Sequence, residues 1–152
     1  MPDIFVDADA CPVKDETYRV ARRYDLRVFV VSNTWLATPE EGRVERVLVG
    51  DAFDAADDWV AGHVGEDDVV ITSDIPLAAR CLEKGARVLG PKGVEFTEDS
   101  IGRALASRAL LSELREMGEM TGGPAPFERR DRSLFLQALD RIVQAIRRRR
   151  PR

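Results

Sequence analysis

Residues 69 to 89 read Val-Val-Ile-Thr-Ser-Asp-Ile-Pro-Leu-Ala-Ala-Arg-Cys-Leu-Glu-Lys-Gly-Ala-Arg-Val-Leu. A short β-branched apolar run at 69–72 gives way to a helical pattern over about 76–84, and a second apolar run follows at 86–89. Strands this short, with no polar alternation, are buried on both faces, which requires a parallel sheet covered by helices. The same alternation continues outward. Residues 4–6, 27–31 and 46–49 are further predicted strands, and helical patterns cover about 13–24, 51–63, 98–118 and 131–149. The connection from 32 to 45 shows no clear helix, yet it is long enough for a parallel crossover. The expectation is a three-layer α/β/α domain with a central parallel sheet of about five strands.

At 152 residues the chain has room for one core, so a single domain over 1–146 and a basic tail at 147–152 are expected. With 44% hydrophobic and 33% charged residues, a disordered or fibrous chain is excluded. No apolar run reaches the ~18 residues of a membrane span, and the N-terminus, with Asp3, Asp7 and Asp9, does not read as a signal peptide. A cytoplasmic protein without membrane contact is expected. Cys11, Cys81 and the single His63 provide neither a zinc site nor a disulfide framework. Net charge is −4, but the last six residues, RRRRPR, hold five of the 23 basic residues and no acidic one. An acidic body with a basic end suggests either a solvated helix terminus or an attraction to phosphate.

In open parallel sheets ligands bind beyond the carboxyl ends of the strands. The residues there are Asp7-Ala-Asp9, Ser32-Asn33-Thr34, Gly50-Asp51, Ser73-Asp74 and Lys92-Gly93. Asp54, Asp57 and Asp58 follow in the helix after the third strand, at spacings of three and four. Two like charges ~4 Å apart repel by roughly 4 kcal/mol at an effective dielectric near 20, so such a cluster calls for protons or a cation. Mg²⁺ or Mn²⁺ suits carboxylate and water oxygens and needs no histidine. The structural alternative is capping of helix N-termini, which Asp51 and Asp74 both invite and which fits Asp51 better. Cys11 and His63 read as structural and surface residues. Ser32 and Asn33 would bind a phosphate oxygen or form a plain turn, and Gly122-Gly123 is a weak anion-nest signal. In the last helix Leu134, Phe135, Ala138, Leu139, Ile142 and Ile146 share one face, which packs on the domain or forms a homodimer.

The segments Asp7-Ala-Asp-Ala-Cys-Pro12, Val70-Ile-Thr-Ser-Asp-Ile-Pro-Leu-Ala78, Gly90 to Gly93 and Thr121-Gly-Gly-Pro124 together resemble the bacterial YaiI/YqxD family. The match runs in order from about residue 3 to 142, and the Arg-rich end lies outside it. The resemblance implies a PIN-like fold, with acids at parallel strand ends holding Mg²⁺ or Mn²⁺ for cutting RNA or DNA. By position, Asp7 is similar to the first-strand acid and Asp74 to the fourth-strand acid, with the two on adjacent strands. Where PIN nucleases place a helix glutamate, this chain has only Asp57 or Asp58.

Three functions compete. In a metal-dependent nuclease, Asp7, Asp9, Asp57 or Asp58, and Asp74 bind the cations, and Lys92 or Arg19 holds the phosphate. In a phosphatase resembling the haloacid dehalogenase class, Asp7 is the nucleophile and Ser32 binds phosphate. In a non-catalytic module, the same scaffold binds RNA or protein without turnover.

Overall fold

The computed structural model describes residues 2–9, 11–52, 54–103, 106 and 126–149. Strand β1 (Ile4–Asp7) pairs in parallel with β2 (Val28–Ser32) on one side and with β4 (Val69–Ile71) on the other. Beyond β2 lies β3 (Val44–Leu48) and beyond β4 lies β5 (Arg87–Leu89), both parallel. A two-residue strand, β6 (Glu95–Phe96), closes the edge antiparallel to β5, so the order is β3-β2-β1-β4-β5-β6. The helix-free connection between β2 and β3 does make a parallel crossover. The sheet is thus mixed and six-stranded rather than five-stranded, because β6 is too short to leave a periodic signal.

Right-handed crossovers determine which face each helix covers. The chain steps one way from β1 to β3 and then reverses, crossing to β4 and on to β5. Helix α1 (Lys14–Tyr24) therefore covers one face, while α2 (Ala55–His63) and α3 (Ile75–Glu83) cover the other. The C-terminal helix α4 (Arg129–Arg149) packs beside α1. Along each strand the side chains alternate between the two cores. Ile4 and Val6 of β1 join Val28, Val30 and Ile71 against α1 and α4, and Phe5 joins Val31 and Val70 against α2 and α3. Each such Val, Ile or Phe gains about 1.5–3 kcal/mol over an exposed position.

The predicted face of α4 packs within the chain. Phe135, Ala138, Leu139, Ile142 and Ile146 are buried, and Leu134 is left half exposed. The turn between β5 and β6 rests on the same helix at Gly93, whose φ is +89° and where a Cβ would stand 2.7 Å from the Leu134 carbonyl carbon. Both facts require glycine there. Helix α2 begins at Ala55, four residues later than the pattern suggested. Residues 98–103 are helical. The rest of the 98–118 helix and the Thr121–Pro124 break lie outside the described residues. Among the described residues no helix is long and apolar enough to cross a membrane.

Candidate functional site

The reversal of strand order falls between β1 and β4, and the acidic residues gather at its carboxyl end. Asp7 ends β1, and like Phe5 it belongs to the side of the sheet covered by α2 and α3. The register pairs Val6 with Ile71, so one step further Asp7 stands beside Thr72. The buried Thr72 hydroxyl donates to Asp7 Oδ2 at 2.8 Å and accepts the Asp74 backbone N–H at 3.0 Å. Asp74 is the N-cap of α3, and its Oδ1 accepts the Leu77 N–H at 3.0 Å. Its Oδ2 has no hydrogen-bond partner among the described residues. Asp54 is the N-cap of α2, without a side-chain cap bond, and Asp57 stands in that helix's first turn. Asp7, Asp9, Asn33, Asp54, Asp57 and Asp74, with Ser73 and Pro76, line one cavity of about 640 Å³.

The carboxylates act on one another. Burial, then the charges of Asp74, Asp7 and Asp54, push the Asp57 carboxyl up to about 6, against the opposing pull of Arg80. Asp7 is also raised, first by burial and then by Asp74 and Asp9, with the Thr72 hydrogen bond working the other way. The N-terminus of α2 borders this cavity and its dipole favours anions there, whereas that of α3 is already capped by Asp74 on the Leu77 N–H and carries Pro76, which has no N–H.

Of the candidates read from sequence, Asp7, Asp9, Asn33, Asp57 and Asp74 meet at the cavity. Asn33 works as a strut: its backbone N–H donates to Asp9 Oδ2 at 2.9 Å and its side-chain amide to the Gly50 carbonyl at 2.9 Å. Asp58 turns away and pairs with Arg80 at 2.9 Å on the surface. Asp51 does not cap α2, because the helix starts later and Asp54 occupies the cap position. Ser32 is buried, and its hydroxyl donates to the Thr34 carbonyl at 2.5 Å, turned into its own loop rather than toward the cavity. Arg19 is exposed on α1, on the opposite face of the sheet, and Lys92 sits in the β5–β6 turn; neither lines the cavity. His63 is exposed and stacks on Trp59 with ring centroids 3.8 Å apart. Cys11 is partly buried, and burial pushes its thiol pKa up, as suits a structural residue. Gly122 and Gly123 lie outside the described residues.

Sequence reasoning missed Thr72 and Arg80. Thr72 had a signal, a hydroxyl ending an otherwise apolar strand two residues before Asp74. Arg80 had none, since its pairing with Asp58 spans 22 residues. Among the described residues, no group of three or more His, Cys, Asp or Glu side chains is gathered tightly enough to ligate one ion.

A family model described as "Uncharacterized BCR, YaiI/YqxD family" matches residues 5–145. A UPF0178 protein of Rhodospirillum centenum is 60% identical over 152 residues, covering 97% of this chain and 99% of its own. A UPF0178 protein of Rhodospirillum rubrum is 55% identical over 147 residues, covering 96% and 98%. One of Nitrobacter winogradskyi is 54% identical over 145 residues, covering 95% and 92%. No solved structure matches the chain.

Proposed function

The chain belongs to the YaiI/YqxD family, and from that premise we propose that it is a metal-dependent nuclease that hydrolyses phosphodiester bonds of RNA or DNA at the cavity between α2 and α3. The observation that carries this reading is the meeting of Asp7, Asp57 and Asp74 at one cavity by the β1–β4 seam, where burial first and then the charges of Asp74 and Asp7 push the Asp57 carboxyl up to about 6. Carboxylates kept together against their own repulsion need a cation or an electrophile to balance them. The strand order, with the first and fourth strands at the reversal, also supports the PIN-like resemblance.

Mg²⁺ or Mn²⁺ fits this donor set. Mg²⁺ keeps several waters and is commonly held by one or two carboxylates together with substrate phosphates, so it does not require a closed cage of three protein ligands. Asp7 and Asp74 Oδ2 would hold the ion directly, with Asp9 and Asp57 joined through water. Bound there, it would supply a Lewis acid and lower the pKa of an attacking water. The remaining work falls to the chain. Thr72 fixes the rotamer of Asp7 and ties it to the Asp74 backbone, and Asn33 fixes Asp9. The α2 N-terminus, which has no side-chain cap, favours the phosphate's charge where the cluster alone would repel it. Arg80, whose charge reaches Asp57, is the cation next to this acidic wall. The reading goes with a cytoplasmic location, where the free Cys11 and Cys81 stay reduced.

The test is Mn²⁺-dependent cleavage of single-stranded RNA and DNA by the purified chain and by Asp74→Asn. Asparagine is as good an N-cap as aspartate, so the substitution keeps α3 intact while removing the charge. Slow cleavage by the parent, lost in Asp74→Asn, is the expected result. An equally active variant, or a parent that cleaves nothing in Mn²⁺, overturns the reading.

A further inference from the structure

The basic end of the chain is at the far edge of the sheet from the aspartates. Arg132 of α4 donates to the Pro12 carbonyl at 2.6 Å, at the carboxyl edge where α1 begins. Arg149 pairs at 3.1 Å with the buried Asp67, at the amino edge just before β4. From Arg132 to Arg148 the helix rises about 24 Å at 1.5 Å per residue. Basic residues near α4's end therefore do not belong to the acidic cavity.

At that far edge Tyr24, Gln144, Arg147 and Arg148 line a second cavity, of about 430 Å³. Its acidic neighbour is already occupied. Asp140 accepts from Arg23 at 2.9 Å, from the Tyr24 hydroxyl at 2.8 Å and from the Gln144 amide at 2.8 Å. Arg147 lies over the Tyr24 ring, 4.9 Å from its centroid, and has no hydrogen bond or ion pair among the described residues. Arg148 has no hydrogen bond or ion pair among the described residues. Complementing the helix dipole takes one or two cations in the last turn. Here Arg147, Arg148 and Arg149 stand in that turn, and among the described residues only Arg149 is matched by a carboxylate.

We propose that Tyr24, Gln144, Arg147 and Arg148 form an anchor for the phosphate backbone of a nucleic-acid strand, separate from the acidic cavity and on the opposite edge of the sheet. The proposal rests on the nuclease reading for the identity of the polyanion. The physical need follows from the chain's charge: with a pI near 5.1 and an acidic cavity, affinity for phosphodiesters has to come from elsewhere on the surface. Planar guanidinium groups, one held by an aromatic ring, suit bidentate contact with phosphate oxygens. A strand held at both edges must cover about 24 Å, so long strands should be preferred over dinucleotides.

The experiment is a fluorescence anisotropy titration of a labelled single-stranded RNA of about 20 nucleotides, in chelator, over a range of KCl concentrations. Because it runs without metal, it is independent of cleavage. The variant is Arg148→Glu, which loses no hydrogen bond or ion pair to a described residue, with an Arg147→Gln/Arg148→Gln double variant beside it. For single strands each lost phosphate contact lowers the slope of log affinity against log salt by about 0.7. The expected result is a several-fold weaker complex at low salt, with the slope shallower by about 0.7 for Arg148→Glu and about 1.4 for the double variant. Parental affinity and slope in both variants, or no binding by the parent, overturns the anchor. If binding responds as expected but Mn²⁺ produces no cleavage, the anchor stands and the nuclease reading falls; if cleavage occurs and binding ignores both variants, the anchor alone falls.

Discussion

Replacing Asp57 by asparagine removes one charge from the cluster without altering the shape of α2, and its effect can be worked out from the structure. The folded carboxyl titrates at about 6 against an ordinary 3.8. Between those values the folded state binds more protons than the unfolded state, so stability falls as pH rises through the window and the penalty is complete above it. Roughly two pKa units correspond to ~3 kcal/mol. The side chain is only partly buried, so solvent screening reduces this to about 1.5 kcal/mol. Losing a negative charge in the first turn of α2 returns about 0.5 kcal/mol. The net expectation is that, in chelator near pH 7.5, Asp57→Asn is about 1 kcal/mol more stable than the parent, a gain that disappears by about pH 4. Urea denaturation at the two pH values measures it. With Mn²⁺ the order should invert, because an ion present at about 100 times its Kd stabilises the parent by about 2.7 kcal/mol and the variant by less. A variant less stable in chelator at neutral pH, or one whose gain does not change with pH, refutes the burial and repulsion that together raise this carboxyl.

Three other substitutions probe the surroundings. Thr72→Val should cost about 1.5–3 kcal/mol by urea denaturation near neutral pH, because it removes the donor to the Asp7 carboxylate and the acceptor of the Asp74 N–H; a loss under about 0.5 kcal/mol would mean that water replaces the hydroxyl. Asp58→Ala should change stability by less than about 1 kcal/mol and leave Mn²⁺ affinity by calorimetry unaltered, since its partner Arg80 holds it at the surface away from the cavity; a weakened ion would return Asp58 to the site. Gly93→Ala should lower stability by about 3 kcal/mol, since the added carbon meets the Leu134 backbone at 2.7 Å with φ at +89°; a neutral result would show that the turn moves freely off α4.

Much of the fold is legible in the sequence because parallel strands buried on both faces leave unbroken β-branched runs, and helices between them leave a different period. Val69-Val70-Ile71 and Val28-Phe29-Val30-Val31 could hardly be anything else. Glu95-Phe96 could, since two residues carry no period and their pairing with β5 depends on a turn supported by a helix some forty residues away. Asp7 and Asp74 could be selected because strand ends at a reversal of order are where ligands meet. Distinguishing Asp57 from Asp58 was beyond the sequence, because adjacent helix residues differ by about 100° in direction and only the packed position of Arg80 decides which one turns outward. The same holds for the basic end: the sequence gives five arginines, but only the course of α4 reveals that its last turn lies opposite the acids.

Whether Asp7 and Asp74 share a divalent ion can be seen by anomalous diffraction from a crystal of the chain soaked in Mn²⁺. A peak is expected in the cavity at the β1–β4 seam, about 2.0–2.6 Å from an Asp7 oxygen and from Asp74 Oδ2, with water completing the coordination. A peak outside that cavity, or none there at saturating Mn²⁺ with both carboxylates ordered, would contradict a shared ion.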